Sequence, residues 1–263
     1  MSDERVTMED QELLDPAVRA AHGLTTRRRR DTKPGLSLER IVEAALALAD
    51  EDGLAGVSMA KVAERLDSAP MSLYRHVASK DELVTHLQDA GHGPPPADLF
   101  AAADWRTGLR RWTKEQISRA LARPWLLEIP TGAPPLMPNS LAWMEAGMRL
   151  LVGLPLAGSE KLALLAALAV QARSQAATMV NLRRSYAELG VGPEDEAPRY
   201  EQGLRAVTAG GRYPTLHDMA ARGEIFDLPA GVAEKDADDL VWGFAVDRTL
   251  DGVASLIDSR RDA

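Results

Sequence analysis

The sequence predicts an all-α protein in which a three-helix domain of the helix-turn-helix type precedes a larger helical domain. Apolar residues recur at helical spacing in successive segments, and Ser or Asp residues stand where helix N-caps are needed. The stretch 91–98, GHGPPPAD, interrupts this periodicity, because three successive prolines cannot continue a helix. We therefore expect an N-terminal extension over residues 1–35, a helix-turn-helix domain over 36–92 and a second helical domain over 100–263.

Composition limits the classes of protein to which the chain belongs. It has 263 residues, 45% of them hydrophobic, which is enough for one large core or two modest ones. No apolar run approaches the roughly 20 residues of a membrane span, and no signal-peptide core is present, so we expect a soluble cytoplasmic protein. With no cysteine and five scattered histidines, neither a thiolate nucleophile nor a recognisable metal site is expected. No cofactor is predicted.

The first 58 residues contain an extension and one long helix. The extension is polar and is expected to be flexible, apart from a possible helical fragment between Leu13 and Ala21. Ser37 is expected to cap the first long helix, and Gly53 to end it. The net charge of the chain is −8, yet a basic run, TTRRRRDTK, stands just before this helix. The positive charge is therefore concentrated next to one element.

Two short helices and a tight turn occupy residues 58–77. Ser58 is expected to cap a helix of about two turns, and Asp67 lies in the turn that follows it. Pro70 favours the first position of a second helix, which is expected to continue to Val77. The next cap signature is Ser79 with a glutamate three residues later, the pattern of a capping box. Such an arrangement is typical of proteins that place a helix in the DNA major groove.

These residues resemble the tetracycline-repressor (TetR) family of bacterial transcriptional regulators. The resemblance covers the helix Ser37 to Gly53, the helix-turn-helix, and LYRHVASKDEL from Leu73 to Leu83. It implies a homodimer that binds a double-stranded, pseudo-palindromic DNA operator and is released by a small-molecule effector. The sequence departs from the family pattern at Asp67, where glycine is usual, and at Ala60, where arginine is frequent. The operator sequence of a relative is therefore not transferable to this chain.

The candidate DNA-contacting residues lie on and around the second short helix. The surface of this helix carries hydroxyl, imidazole and guanidinium groups beside small or apolar side chains that fit a thymine methyl group. The resemblance implies base-facing positions for Pro70, Met71 and Ser72, phosphate contacts for Tyr74, His76 and Lys80, and further contacts for Ser58 and Lys61. Arg75 belongs to the same surface, and Arg28, Arg29 and Arg30 form either a DNA-contacting arm or a solvated charge run. The alternatives are a half-buried core ring for Tyr74 and a hydrogen bond within the domain for His76.

The second domain contains the candidate effector site. Helices are expected from the cap Asp104 to about Ala122, from Asn139 or Ser140 to near Gly153, and from the cap Ser159 to about Arg184. The segment 126–138 is expected to be an extended connector, and loops are expected near 190–198. The residues considered for effector binding are large apolar groups and two glutamines spaced four apart: Trp112, Trp143, Met144, Met148, Gln171, Gln175 and Met179. Each of these side chains has a competing interpretation as core, solvent-facing or interface residue.

The last helix is expected to start near Lys235 or Asp236. Its apolar residues cover more than one face, which exceeds what one intramolecular contact requires: Leu240, Trp242, Phe244, Val246, Leu250, Val253, Leu256 and Ile257. Together with the helix from Ser159, this predicts a four-helix bundle across a two-fold axis, the dimerisation mode of the family.

The sequence therefore predicts a ligand-responsive DNA-binding repressor and not an enzyme. No nucleophile, phosphate-binding loop or metal spacing supports the alternative of a helical enzyme. An activator without ligand-induced release remains open, as does a dimeric helical binding module that does not bind DNA. The negative net charge and Asp67 favour the binding module.

Overall fold

In a computed structural model the chain is described over residues 13–24, 36–99, 104–130, 136–227 and 237–262, with the backbone alone at 193–194 and 237–242. Within these ranges the regular secondary structure is helical, which confirms the predicted all-α class. The α-helices are α1 (Pro16–Ala21), α2 (Leu38–Asp52), α3 (Met59–Arg65), α4 (Pro70–Leu73), α5 (Lys80–His92), α6 (Trp105–Ala122), α7 (Pro138–Leu150), α8 (Gly158–Glu188), α9 (Pro193–Thr208), α10 (Pro214–Arg222) and α11 (Ala237–Arg261). Every helix in the described ranges is too short or too polar to cross a bilayer.

The extension contains the short helix α1, at the place where the sequence allowed a fragment. Asp15 caps it, because its carboxylate accepts a hydrogen bond from the Ala17 amide at 2.8 Å. At the other end Gly23 has φ +67°, and the Leu24 amide donates to the Arg19 carbonyl, which completes a Schellman motif. Ala17 and Val18 are buried, and α1 packs on α5. Helix α1 thus lies within the stretch from Leu13 to Ala21 that the sequence analysis set apart as a possible helical fragment.

Helices α2 to α5 form the N-terminal domain around a compact apolar core. The Ser37 hydroxyl caps α2, and Gly53 ends it at φ +71°, as the sequence predicts. Asp67 takes the left-handed conformation in the turn between α3 and α4, at φ +47°. The second short helix is shorter than predicted, since α4 ends at Leu73. The amides of His76 and Val77 both donate to the Leu73 carbonyl, so the chain leaves the helix in a tight turn.

The second domain is built on α6, α7, α8 and α11, whose buried side chains form a second core. Two predicted helix starts are wrong. Helix α7 begins at Pro138, so that Asn139 and Ser140 lie in its first turn, and α8 begins at Gly158 with Ala157 at the N-cap position. Ala157 has no side-chain acceptor, and the Glu160 carboxylate instead accepts its amide at 2.8 Å.

Helices α9 and α10 pack mainly on each other. The expectation of loops near residues 190–198 is wrong beyond Gly192, because α9 begins at Pro193, a residue well suited to the first helical position. The rings of Tyr200 and Phe226 meet edge to face at 5.7 Å, and the Thr208 hydroxyl lies 3.0 Å from Nδ1 of His217. The polar contact joins α9 to α10, and the aromatic contact joins α9 to the residues that follow α10.

The segment after α6 joins the two domains. The sequence predicts an extended connector from Leu126 onward, but residues Pro124–Glu128 form a 3-10 helix. Its side chains Trp125 and Leu126, with Ile129 just beyond it, are buried in the core of the N-terminal domain. The core of the N-terminal domain is thus completed by residues from the other side of the proline-rich stretch.

Candidate nucleic-acid interface

The exposed side of α4 and of the turn after it forms the candidate recognition surface, which we define as residues 70–76. Leu73 and Val77 are fully buried and anchor this segment to the domain core. The opposite side carries Met71 at 73% exposure and Tyr74 at 42%. Tyr74 is therefore not part of the fully buried core that contains Leu73 and Val77.

The other predicted contact residues of this surface differ in exposure. Pro70 and Arg75 are exposed, whereas Ser72 and His76 are half-buried. A protruding apolar side chain between proline and serine presents methyl and methylene groups to a partner, with hydroxyl and guanidinium donors beside it. The surface therefore combines an apolar centre with polar groups at its edge.

Ser58 and Lys61 lie at the start of α3, and both already have partners within the domain. The Ser58 hydroxyl caps the helix by accepting the Lys61 amide at 3.2 Å. The ammonium of Lys61 lies 3.3 Å from the carboxylate of Asp52 on α2. Both side chains of this ion pair are about half exposed, so the pair is weak and is readily exchanged for a phosphate contact.

Lys80 is the first residue of α5, next to a well-capped helix N-terminus. The Ser79 hydroxyl accepts the Glu82 amide at 3.0 Å, and the Glu82 carboxylate accepts the Ala78 amide at 2.6 Å. The predicted capping box is therefore present in a modified form, with the glutamate bonded one residue earlier. Lys80 is exposed there, and its ammonium favours an anion, whereas Asp81 and Glu82 in the same turn already provide negative charge to the helix N-terminus.

Acidic groups partly balance this surface. Asp67 is exposed in the turn that precedes α4. On α2, both carboxylate oxygens of Glu51 accept hydrogen bonds from the Arg65 guanidinium at 2.7 Å. Arg28, Arg29 and Arg30 lie outside the described residues. Among the predicted contacts that the structure describes, the exposed lysine and arginine residues are Lys61, Arg75 and Lys80.

The predicted effector residues do not form one uniform group. Trp112 and Trp143 are 3% and 6% exposed and meet edge to face at 6.1 Å. Their indole N–H groups are used within the fold, since Trp112 donates to the Trp143 carbonyl and Trp143 to the Gly93 carbonyl, both at 2.9 Å. Met179 is buried as well. The remaining four candidates are half-buried: Met144, Met148, Gln171 and Gln175.

Sequence reasoning missed the polar residues that connect the two domains. Asp50, Asp89, Arg119 and Arg123 make hydrogen bonds to residues that lie 25 to 75 positions away in the chain. No local pattern identifies such residues, because each partner lies on another element. Arg173 is similar: it donates to the carbonyls of residues 126, 127 and 129 at 2.7 to 3.0 Å, and burial lowers its pKa.

The chain has relatives of known family. The model for bacterial regulatory proteins of the tetR family matches residues 41–87. Over 242 residues the chain is 32% identical to the HTH-type transcriptional repressor DrrR1 of Streptomyces coeruleorubidus, across 88% of this chain and 82% of that protein. It is also 35% identical over 114 residues to an HTH-type transcriptional regulator of Saccharopolyspora erythraea, across 43% of this chain and 48% of that protein.

A solved structure shares the fold. The Streptomyces coelicolor TetR family protein ActR, in complex with actinorhodin, superposes with a TM-score of 0.63 at 23% identity, over 84% of this chain and 98% of that one. The helix-turn-helix geometry, the family match across it and the identity to DrrR1 over most of both chains agree. This chain belongs to the TetR family of bacterial transcriptional regulators.

Proposed function

We propose that the protein is a homodimeric repressor that binds a pseudo-palindromic operator and leaves it when a small molecule occupies the second domain. The observation that carries the proposal is the recognition surface: Met71 and Tyr74 are exposed on a segment that Leu73 and Val77 hold in place. The relative DrrR1 is named a transcriptional repressor, which supports repression as the direction of control. A place in the cytoplasm, where the DNA is, follows from the same proposal.

Each predicted contact has a defined role in this proposal. Pro70, Met71 and Ser72 meet base edges in the major groove, and the polar groups around them fix the register on the backbone. The residues proposed to contact phosphates are Ser58, Lys61, Tyr74, Arg75, His76 and Lys80. The arginines Arg28, Arg29 and Arg30 are proposed to add phosphate or minor-groove contacts from the N-terminal side.

The dimer is proposed to form through α8 and α11. Helix α8 exposes Leu162 and Val170, at 47% and 69%, and α11 exposes Phe244 and Leu256, at 60% and 39%. Exposed apolar side chains on two neighbouring long helices fit a four-helix bundle between two copies. Such a dimer presents two recognition helices to half-sites about 34 to 36 Å apart.

The effector is proposed to bind among α6, α7 and α8. ActR, which has the same fold, was crystallised with actinorhodin, and this supports a medium-sized organic ligand. The half-buried Met144, Met148, Gln171 and Gln175 are the proposed contacts, and Trp112, Trp143 and Met179 form the apolar wall behind them. The effector lowers operator affinity by the difference between its affinities for the two conformations.

A gel shift on the DNA upstream of the protein's own coding region, across a salt series, tests the proposal. We expect a specific shift whose affinity falls as salt rises, because phosphate contacts release counterions. Absence of a shift at low salt would contradict repression and favour the helical binding module, which the negative net charge and Asp67 also favour.

A further inference from the structure

We infer that Asp89 is a positioning residue that sets the orientation of the DNA-binding domain, because it caps a helix of the other domain. Asp89 lies in the last turn of α5, the helix that leaves the N-terminal domain. Its partners are in the first turn of α7. The inference rests on the proposed function for its effect at the operator, but not for the contact itself.

The carboxylate of Asp89 is buried, at 6% exposure, and fully engaged with α7. Oδ2 accepts the Asn139 amide at 3.0 Å, and Oδ1 accepts both the amide and the hydroxyl of Ser140, at 2.9 and 3.0 Å. The side-chain amide of Asn139 donates in return to the Asp89 carbonyl at 3.0 Å. Four hydrogen bonds therefore join two helices across 50 residues of sequence.

Helix α7 has no capping group of its own. Met137 occupies its N-cap position and has no side-chain oxygen, and Pro138 follows it. The first-turn amides of a helix need an outside acceptor, and a negative charge there also interacts favourably with the helix dipole. The carboxylate of Asp89, in the neighbouring domain, supplies the hydrogen-bond acceptor and the negative charge. If the two helices separate, the Asp89 carboxylate and the amides of Asn139 and Ser140 all lose their hydrogen-bond partners at once, which costs free energy.

Other hydrogen bonds to the same end of α5, including that from Arg123 to the Gly91 carbonyl, also use main-chain acceptors. The indole of Trp143 on α7 donates to the Gly93 carbonyl at 2.9 Å. The guanidinium of Arg119 on α6 donates to the carbonyls of His92 and Pro94 and lies 5.2 Å from the centre of the Trp143 ring. Since main-chain carbonyls cannot be removed by substitution, Asp89 is the α5 side chain through which the link is best tested.

The contact connects the proposed effector site to the DNA-binding surface. Helix α7 carries Trp143, Met144 and Met148, and α5 begins at Lys80, nine residues before Asp89. These nine residues span about 13 Å of rigid helix. A shift of the first turn of α7 is therefore transmitted along α5 to Lys80 and the recognition surface. The carboxylate favours one arrangement of the two domains over others.

The test measures the distance between the domains. The chain has no cysteine, so Glu64→Cys on α3 and Glu145→Cys on α7 introduce two specific spin-label sites. Both positions are exposed, and dilution with unlabelled protein leaves only distances within one chain. We expect a narrow distance distribution for the otherwise unaltered protein and for Asp81→Ala, an exposed aspartate of α5. Asp89→Ala is expected to broaden or shift the distribution.

A second variant separates positioning from stability. Asp89→Ala is expected to lower the melting temperature by about 5 to 10 °C. Adding Ser140→Asp places a carboxylate in the first turn of α7 itself, so the melting temperature is expected to recover while the distance distribution stays broad. If Asp89→Ala does not fold, Asp89→Asn, which keeps one acceptor, is expected to give an intermediate broadening.

The outcomes are distinct from those of the operator experiment, because the distance measurement needs neither DNA nor effector. An unchanged distribution in folded Asp89→Ala or Asp89→Asn overturns the inference. Recovery of both melting temperature and narrow distribution by Ser140→Asp also overturns it, since Asp89 is then only a cap. Once an operator is known, Asp89→Ala is expected to weaken its binding about tenfold, and Asp81→Ala, which removes a negative charge beside Lys80, is expected not to weaken it.

Discussion

The guanidinium of Arg123 donates hydrogen bonds to the carboxylate of Asp50, 73 positions earlier in the chain, at 3.0 to 3.2 Å. Arg123 follows α6, and Asp50 lies in the last turn of α2. Arg123 also donates to the Gly91 carbonyl at 3.0 Å, and the Trp125 indole donates to Asp50 at 2.9 Å. One ion pair thus joins the first helix of the DNA-binding domain, the end of α5 and the second domain.

This relationship predicts a specific loss of stability in acid. Burial raises the pKa of Asp50, but the hydrogen bonds from Arg123 and Trp125 lower it more, so that its net pKa is below the ordinary value. A lowered pKa stabilises the fold at pH values above the pKa of the unfolded chain, and this contribution is lost as the pH falls through the folded value. Asp50→Ala is therefore expected to cost about 1 kcal/mol at neutral pH and progressively less below about pH 4.

Urea unfolding of Asp50→Ala from pH 7 to pH 3 checks this expectation. The control is Glu43→Ala, which removes an exposed carboxylate from the same helix and is expected to leave stability nearly unchanged. A difference between Asp50→Ala and the unaltered chain that persists undiminished at pH 3 would show that the ion pair is not its cause.

Gly91 is expected to be required by close packing at the domain junction. A Cβ atom at this position would lie 2.4 Å from Cη2 of Trp125 and 2.9 Å from Cδ2 of Leu126. Gly91→Ala is therefore expected to destabilise the protein by about 1 to 3 kcal/mol, despite the better helix propensity of alanine. The matched control is Gly203→Ala on α9, where a Cβ meets nothing within 4 Å. Thermal unfolding that ranks the two variants equally would refute the steric argument.

Lys80 is expected to make a phosphate contact that does not depend on DNA sequence. Lys80→Ala should weaken binding to operator and to unrelated DNA alike. It should also reduce the salt slope by about 0.9 for each phosphate that the lysine neutralises, or nearly 2 for a dimer. Lys114→Ala, an exposed lysine of α6 in the second domain, is the control. Equal salt slopes for the two variants would remove Lys80 from the interface.

Met71 is expected to read thymine methyl groups, because it is the most exposed apolar side chain of the recognition surface. One buried methyl group is worth about 0.8 kcal/mol, which is about a fourfold change in affinity. Replacing a contacted thymine of the operator by deoxyuridine should weaken binding by this factor, and Met71→Ala should abolish the difference between the two operators. Equal deoxyuridine penalties in both proteins would place the methyl contact elsewhere.

Val170 is expected to lie at the centre of the subunit interface. It is 69% exposed on α8, so Val170→Asp should leave the fold of the single chain intact while it introduces an unpaired charge into the bundle. Light scattering is expected to show a mass near 28.5 kDa for Val170→Asp, and twice that for the unaltered chain. Val152→Asp alters an equally exposed valine, beyond the end of α7, and should remain dimeric. A dimeric Val170→Asp protein would mean that α8 is not the interface.

The sequence by itself determined the elements of local chemistry. Ser37, Ser58, Ser79 and Asp104 cap helices as predicted, because each cap is a hydrogen bond between residues three positions apart. The turn at Asp67 follows from an equally local pattern. These features predicted the helix-turn-helix, and the residues of the helix-turn-helix carried the resemblance to the TetR family.

Only the tertiary structure decided how the two domains are joined. The helix start at Pro138 was mispredicted because its cap, Asp89, comes from another domain, and no local pattern at Asn139 or Ser140 reveals this. The sequence predicts an extended connector from Leu126 onward, yet Trp125, Leu126 and Ile129 complete the N-terminal core. Hydrogen bonds and packing between residues about 50 or more positions apart depend on where the helices lie in space. Local spacing therefore specified the helices, and long-range contacts specified the positions that those helices take relative to one another.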